Sequence, residues 1–298
     1  MRNFVRVVDA GSITRAADSS HVAKSAISRR LSDLETRLKV QLINRTTRRM
    51  TLTDAGQRYY DESVRLLGEL EEAEALVVSE EAALTGKIRL AGPTVFGTRH
   101  LGPAINEFLK IHTEIEFELE FNDRHIDLVE EGFDLAIRIA ELKDSRLMAR
   151  RLAPITGMVL ASPDYWQTHG LPKKPADLEQ HRGIHYAYVP TTWRYKTPRG
   201  KNESIRVPAY LLSNNGDYIA SAARDGLGVI KQPNFICHED VEAGRLIPVF
   251  EDHHWFDLNV WAVYPNTRHL PKRIRVLIDF LAERWGEDPV WQACCAGR

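Results

Sequence analysis

Apolar positions recur at helical spacing through the first 60 residues. Phe4, Val7 and Val8 give a short helical face, which Gly11 ends. A second short helix opens at Ser12 or Ile13-Thr14 and runs through Ala16-Ala17, where small side chains let helices approach closely. After a break at 19–22, Ile27, Leu31, Leu34 and Leu38 recur at spacings of 4, 3 and 4. This is one buried stripe of an α-helix. From Asn44 to Thr53, β-branched residues in alternation predict a tight two-stranded hairpin. Thr53-Asp54 then caps a long helix. Along it Tyr59, Ser63, Leu66, Leu70, Ala73 and Val77 recur at 4, 3, 4, 3 and 4. That heptad-like seam covers about 30 residues, roughly 45 Å of helix, and a seam so narrow implies a partner helix.

Past Leu84-Thr85-Gly86 the period changes. Ile88 and Leu90 mark a strand that runs into Gly92-Pro93-Thr94, and Leu101, Ile105 and Phe108 mark a helix. Ile115, Phe117, Leu119 and Phe121 alternate with glutamates, as in a half-exposed strand. Asp127 to Glu131 reads as helix, and Leu135, Ile137 and Ile139 alternate again. The order β-α-β-α-β predicts a mostly parallel sheet with covering helices. Strands are read at Met158 to Ala161, Ile184 to Tyr188, Ile205 to Leu212, Gly228 to Gln232 and Leu258 to Tyr264. Helices are read at Pro175, Asp217 to Asp225, Phe235 to Ala243 and around Ile274 to Leu281.

Charge divides the chain where periodicity does. Residues 1–60 hold 12 Lys/Arg against 5 Asp/Glu, a net of +7; residues 61–85 hold one Arg against eight Asp/Glu, a net of −7. The whole-chain value of −1 hides this. The local excess points to a nucleic-acid partner for the first segment. The exposed side of the third helix's first turns carries Lys24, Ser25, Ser28 and Arg29, and the hairpin carries Arg45, Thr46, Thr47 and Arg48. Two packed helices joined by a tight turn, the second basic and hydroxylated at its start, follow helix-turn-helix logic. Arg and Lys reach guanine edges or phosphates, and Ser contacts either. The hairpin reads as a wing on the DNA backbone or minor groove.

Other classes find little support. A mean hydropathy of −0.33 and the lack of a long apolar run argue against a membrane span. Arg2, Arg6 and Asp9 interrupt any apolar leader, and three cysteines form no framework, so a cytoplasmic setting is expected. His181, His185, His253-His254 and His269 match no zinc spacing. No nucleophile elbow or phosphate loop occurs, and Gly92-Pro93-Thr94-Val95-Phe96-Gly97 lacks dinucleotide spacing. No catalytic residue, metal or cofactor is therefore expected, and the chain reads as a regulator rather than an enzyme. A solute-binding protein is disfavoured by the basic first segment. A ligand-independent DNA-binding repressor or architectural protein remains the alternative.

Gly11-Ser12, Ala16-Ala17, Ala26-Ile27-Ser28-Arg29, Leu34-Glu35, Leu42, Asn44-Arg45-Thr46-Thr47-Arg48 and Leu52-Thr53-Asp54-Ala55-Gly56 are similar to the LysR-type transcriptional regulators. Asp127 to Arg138 and Gly226-Leu227-Gly228 extend the resemblance through the chain. Ala23, Lys24 and Ser20-His21 depart from the family's usual residues, which bears on operator sequence. The resemblance implies a winged helix-turn-helix at 1–53, a linker and dimerisation helix at 54–86, and an effector-binding α/β domain at 87–298. That last domain is periplasmic-binding-protein-like, with lobe one at 87–160 and 265–298 and lobe two at 161–264. It also implies promoter DNA and a small-molecule effector as partners, a homodimer or homotetramer, and RNA polymerase as a further candidate partner. Ligands of open α/β sheets lie at the carboxyl ends of strands, near helix N-termini. That rule selects Thr94, Val95 and Phe96, then Arg138, then Asn215 and Gly216. The strand from Val229 to Pro233 is usually apolar in the family and here carries Lys231 and Gln232, one of which is expected to face the cleft. Trp193 is expected to wall it. A weak preference for an anionic effector follows from these cations and helix ends.

Overall fold

In the computed structural model, residues 1–20, 22–45, 50–78, 84–124, 126–141, 147–266 and 270–295 are described. The chain divides into two compact units, Met1–Ala83 and Leu84–Arg298.

The first unit begins with α1 (Arg2–Asp9), α2 (Ile13–Ser20) and α3 (Lys24–Leu38). The strands β1 (Ile43–Arg45) and β2 (Met50–Leu52) and the helix α4 (Asp54–Val78) complete it. Phe4, Val7, Ala16, Ala17, Ile27, Leu31, Leu34, Leu42 and Ile43 form its core. Each large apolar side chain so buried contributes roughly 1.5–3 kcal/mol. Leu38, expected on the α3 stripe, is exposed, because Lys39 turns left-handed at φ 54 and ends the helix there.

The Glu35 carboxylate accepts from the backbone N–H groups of Leu42 (2.9 Å) and Ile43 (3.2 Å), which ties α3 to β1. β1 and β2 pair antiparallel, Ile43 with Leu52 and Arg45 with Met50. The Thr53 hydroxyl accepts from Gly56 N–H at 2.9 Å and caps α4. Gly56 passes so close to β1 that a Cβ there would stand 1.9 Å from the Leu42 carbonyl oxygen. Tyr59 meets Phe4 with ring centroids 5.5 Å apart, and the Tyr60 hydroxyl donates to Asp9. The start of α4 thus belongs to the core of this unit. Further along, Val64, Leu66 and Leu70 are exposed. Ser63 is buried, and the side chains of Ala73 and Val77 lie outside the described residues.

The second unit starts with β3 (Gly86–Gly92), from which a helical stretch follows: α5 (Thr94–Phe96), a π turn (Gly97–Leu101) and α6 (Gly102–Ile111). Then come β4 (Ile115–Phe121), β5 (Leu135–Ala140), the 14-residue β6 (Met148–Ala161) and α7 (Pro163–His169). A 3-10 turn (Pro175–Gln180) leads to β7 (Gly183–Tyr186), β8 (Thr192–Lys196), β9 (Asn202–Arg206) and β10 (Ala209–Ser213). The chain closes with α8 (Gly216–Arg224), β11 (Val229–Pro233), α9 (Asn234–Glu242), β12 (Ile247–Val249), β13 (Asp257–Tyr264) and α10 (Lys272–Trp285).

The strand order is β10-β7-β11-β6-β13-β5-β3-β4, with β12 also on β6. β3 is parallel to β4 and β5, and β7 to β10 and β11. β13 runs antiparallel to both β5 and β6, so the sheet is mixed where a mostly parallel one is expected. β6 serves both lobes. Its residues Met148 to Thr156 pair with β13, and Gly157 to Leu160 pair with β11. Pairing therefore changes lobes inside β6 near Gly157 and again before Asp257, earlier than divisions at 161 and 265.

The stretch read as helix at Asp127 to Glu131 is a single turn. Asp127 Oδ1 accepts from the N–H groups of Val129 and Glu130 and closes it locally. The strand read from Ile205 to Leu212 breaks at Val207-Pro208 into β9 and β10.

Candidate functional site

The helix α3 presents two unlike faces. Ile27, Leu31 and Leu34 are buried, while Lys24, Ser25 and Arg29 are exposed and Ser28 is half-buried. Burial of the stripe fixes the helix, so the polar set stands outward along its first turns. Ala23 caps this end without a side-chain hydrogen bond. The N–H groups of the first turn therefore have no side-chain cap at the helix end that carries Lys24 and Ser25, an arrangement that suits a phosphate oxygen. The β1–β2 ladder carries the backbone of Arg45 beside this helix in sequence. Its side chain, and Thr46, Thr47 and Arg48 altogether, lie outside the described residues.

The second unit contains a cleft of about 690 Å³. It opens where the ends of β3, β5, β7 and β11 meet. Of the residues expected there, Val95, Phe96, Arg138, Gly216 and Lys231 line it. Thr94, Asn215 and Trp193 are not among its lining residues. The Thr94 N–H donates to Asp123 Oδ1 at 3.2 Å. The Asn215 side chain accepts from Tyr218 N–H at 3.0 Å and caps α8. Trp193 is buried, and its Nε1 donates to His185 Nδ1 at 3.1 Å. It packs with Tyr195, Trp166 and Trp255 in a separate apolar cluster behind the cleft.

Several lining residues lack any local sequence signal. Tyr186 and Asp123 are brought together from distant parts of the chain. Burial, with the negative charge of Asp123 beside it, pushes the Tyr186 phenol up to about 12, so it stays protonated. Phe256, at the lobe crossover, forms part of the wall. Lys231 and Gln232 both line the cleft, because β11 ends at its rim. The Lys231 ammonium lies 5.9 Å from the Trp193 ring centroid and 5.7 Å from that of Phe256. Burial lowers its pKa to about 8.

Behind the floor, His100 is held by the Phe235 carbonyl at 3.0 Å and packs on Trp291. Burial lowers its pKa to about 4, which keeps the ring neutral. His181 bonds the Tyr165 hydroxyl, so this histidine, like His185, packs the second lobe. The thiol of Cys237 is fully buried and raised by that burial, which leaves it a packing group.

A helix-turn-helix unit followed by a two-lobed α/β unit with a cleft defines a class of ligand-responsive DNA-binding proteins. Residues 1–57 match the bacterial regulatory helix-turn-helix protein family of LysR type, and residues 81–286 match the LysR substrate-binding domain. The chain belongs to the LysR-type transcriptional regulators. It is 34% identical over 272 residues to an HTH-type transcriptional regulator of Haemophilus influenzae, covering 91% of this chain and 94% of that one. It is 32% identical over 289 residues to the regulator PtxR of Pseudomonas aeruginosa, covering 96% and 92%. Among solved structures it is similar to CrgA of Neisseria meningitidis, with TM-score 0.62, 31% identity and coverage of 96% and 98%. It is also similar to the Vibrio cholerae virulence activator AphB, with TM-score 0.60, 27% identity and coverage of 95% and 97%. These relatives are transcriptional regulators, and the fold is the winged helix-turn-helix with linker helix and periplasmic-binding-protein-like domain.

Proposed function

We propose that this regulator binds promoter DNA through α3 and the β1–β2 wing, as an oligomer joined along α4. We further propose that a small molecule in the cleft sets the geometry of binding. One observation carries the DNA reading: burial of Ile27, Leu31 and Leu34 turns Lys24, Ser25 and Arg29 outward on one helical face. Exposed Leu66 and Leu70 on α4 support the oligomer, since a dimer covers them and sets two recognition helices at half-sites about one turn apart. The cleft supports the effector, which acts only through unequal affinity for two lobe arrangements.

The test is fluorescence anisotropy with the DNA upstream of the regulator's own gene, over a salt series. Affinity should fall with a slope of about −0.9 per phosphate contacted. Arg48→Ala should weaken binding to every sequence alike. Ser25→Ala or Arg29→Ala should also relax sequence choice, at about 1–3 kcal/mol. Binding that ignores salt, or an Arg29→Ala variant indistinguishable from wild type, overturns the assignment of α3.

A further inference from the structure

Among the described residues, the cleft is lined by four charged side chains: Asp123, Arg124, Arg138 and Lys231. Three are engaged. Asp123 accepts from the Thr94 N–H. Arg124 is held by Glu120 and Glu131. Arg138 Nη2 donates to the Ile126 carbonyl at 2.8 Å. Lys231 differs. Its ammonium is largely shielded between two aromatic rings, and no described carboxylate pairs with it. A buried charge without a counter-ion is costly and calls for one.

The next residue repeats the theme. Gln232 is 2% exposed, lines the same cleft, and its amide nitrogen has no hydrogen-bond partner. A buried donor left unmatched is uncommon in a finished core. Gly216 sits beside it, where a Cβ would come 2.5 Å from Ile236 Cδ1 and 3.6 Å from Gln232 Oε1. The glycine therefore keeps this corner open. Much of the remaining wall is apolar, with Val95, Ile126, Ile137, Ile139, Phe256 and Leu258. With Arg124 held by Glu120 and Glu131 and Arg138 by the Ile126 carbonyl, one shielded ammonium and one unmatched amide in a largely apolar wall fit a carboxylate better than a phosphate ester, which needs more donors around its oxygens.

We propose that the cleft takes a small organic carboxylate with an apolar body, its charge matched by Lys231 and an oxygen placed within reach of the Gln232 amide. The body lies along Ile137, Ile139 and Phe256. This rests on the reading of the cleft as an effector site. Lys231 then acts as the residue that selects charge, and the aromatic rings around it exclude the water that would otherwise weaken the pairing.

The test uses the purified full chain. Benzoate, phenylacetate and hexanoate are each compared with the matching primary amide, and with inorganic phosphate, by thermal shift and calorimetry. At least one carboxylate should bind, roughly tenfold or more tighter than its amide, as expected for a charge-assisted contact. Phosphate should not bind. Lys231→Met should bring that carboxylate down to the level of its amide, while Lys231→Arg should keep the preference. Gln232→Leu should weaken acid and amide alike. Equal affinity for acid and amide, unchanged carboxylate binding by Lys231→Met, or no binding by any of the three carboxylates overturns the proposal. Operator affinity, measured in the same samples, separates this from the effector reading. An amide that binds tightly and alters operator affinity keeps the effector site and removes the anion. A Lys231-dependent carboxylate that never alters operator affinity keeps the ligand chemistry and removes the regulation.

Discussion

Lys231→Met should stabilise the protein in the absence of ligand. The substitution replaces the ammonium with an apolar side chain of similar length inside the same apolar pocket. Burial lowers the lysine from its ordinary 10.5 to about 8. At about 1.4 kcal/mol per unit, the folded protein carries about 3 kcal/mol of unfavourable free energy while this lysine is charged. The contacts with Trp193 and Phe256 offset part of it, at about 0.5–1 kcal/mol each. A net gain of about 1–2 kcal/mol remains for the variant, or a few degrees in Tm for a unit of this size. The pH dependence follows from the direction of the shift. Below about pH 8 the group is charged in both folded and unfolded chains, so the cost is fully present. Between about pH 8 and 10.5 the folded protein has lost the proton and the unfolded chain still holds it, so wild type gains stability as pH rises. Lys231→Met has no such group. Its advantage in calorimetric Tm should therefore shrink between about pH 7 and pH 9.5. A variant less stable than wild type at neutral pH, or a margin that does not change with pH, would refute the picture of a shielded and unpaired ammonium.

Three further outcomes test the architecture. Gly56→Ala should cost on the order of 3 kcal/mol or more in a urea melt, since its Cβ meets the Leu42 backbone and neither β1 nor α4 can yield cheaply. DNA binding should fall with it. Glu35→Ala should cost about 1–3 kcal/mol, because the Leu42 and Ile43 N–H groups lose their acceptor; Glu35→Gln, which keeps one oxygen, should cost less. Asp240→Ala should destabilise the second unit by a similar amount in thermal melts, as this carboxylate is 4% exposed and holds both Arg224 (2.9 Å) and Arg245 (2.6 Å).

Local periodicity made the first unit readable. Ile27, Leu31 and Leu34 recur as a helix demands, and burying them leaves Lys24, Ser25 and Arg29 outward without further information. The second unit yielded where patterns stayed local and resisted where they did not. Local pattern marks β6 only at Met158 to Ala161, because its first residues, Met148 to Arg151, are all exposed and include two arginines, and they pair only once β13 arrives from about 100 residues away. Asp127 to Glu131 carries helix-forming residues, yet a side chain that satisfies two backbone N–H groups in place needs no second turn. Trp193 had a legible alternation: Trp193 and Tyr195 alternate with Thr192, Arg194 and Lys196, which puts the tryptophan inward rather than in the cleft wall. The cleft is harder in kind. Its side chains sit at strand ends and in connections, and Tyr186 meets Asp123 only after the sheet has closed. What the sequence can show of such a site is a residue out of keeping with its surroundings. Lys231 is that residue: a lysine directly after Val229 and Ile230, just past Gly226-Leu227-Gly228, at the carboxyl end of a strand, where burial has no structural use for its charge.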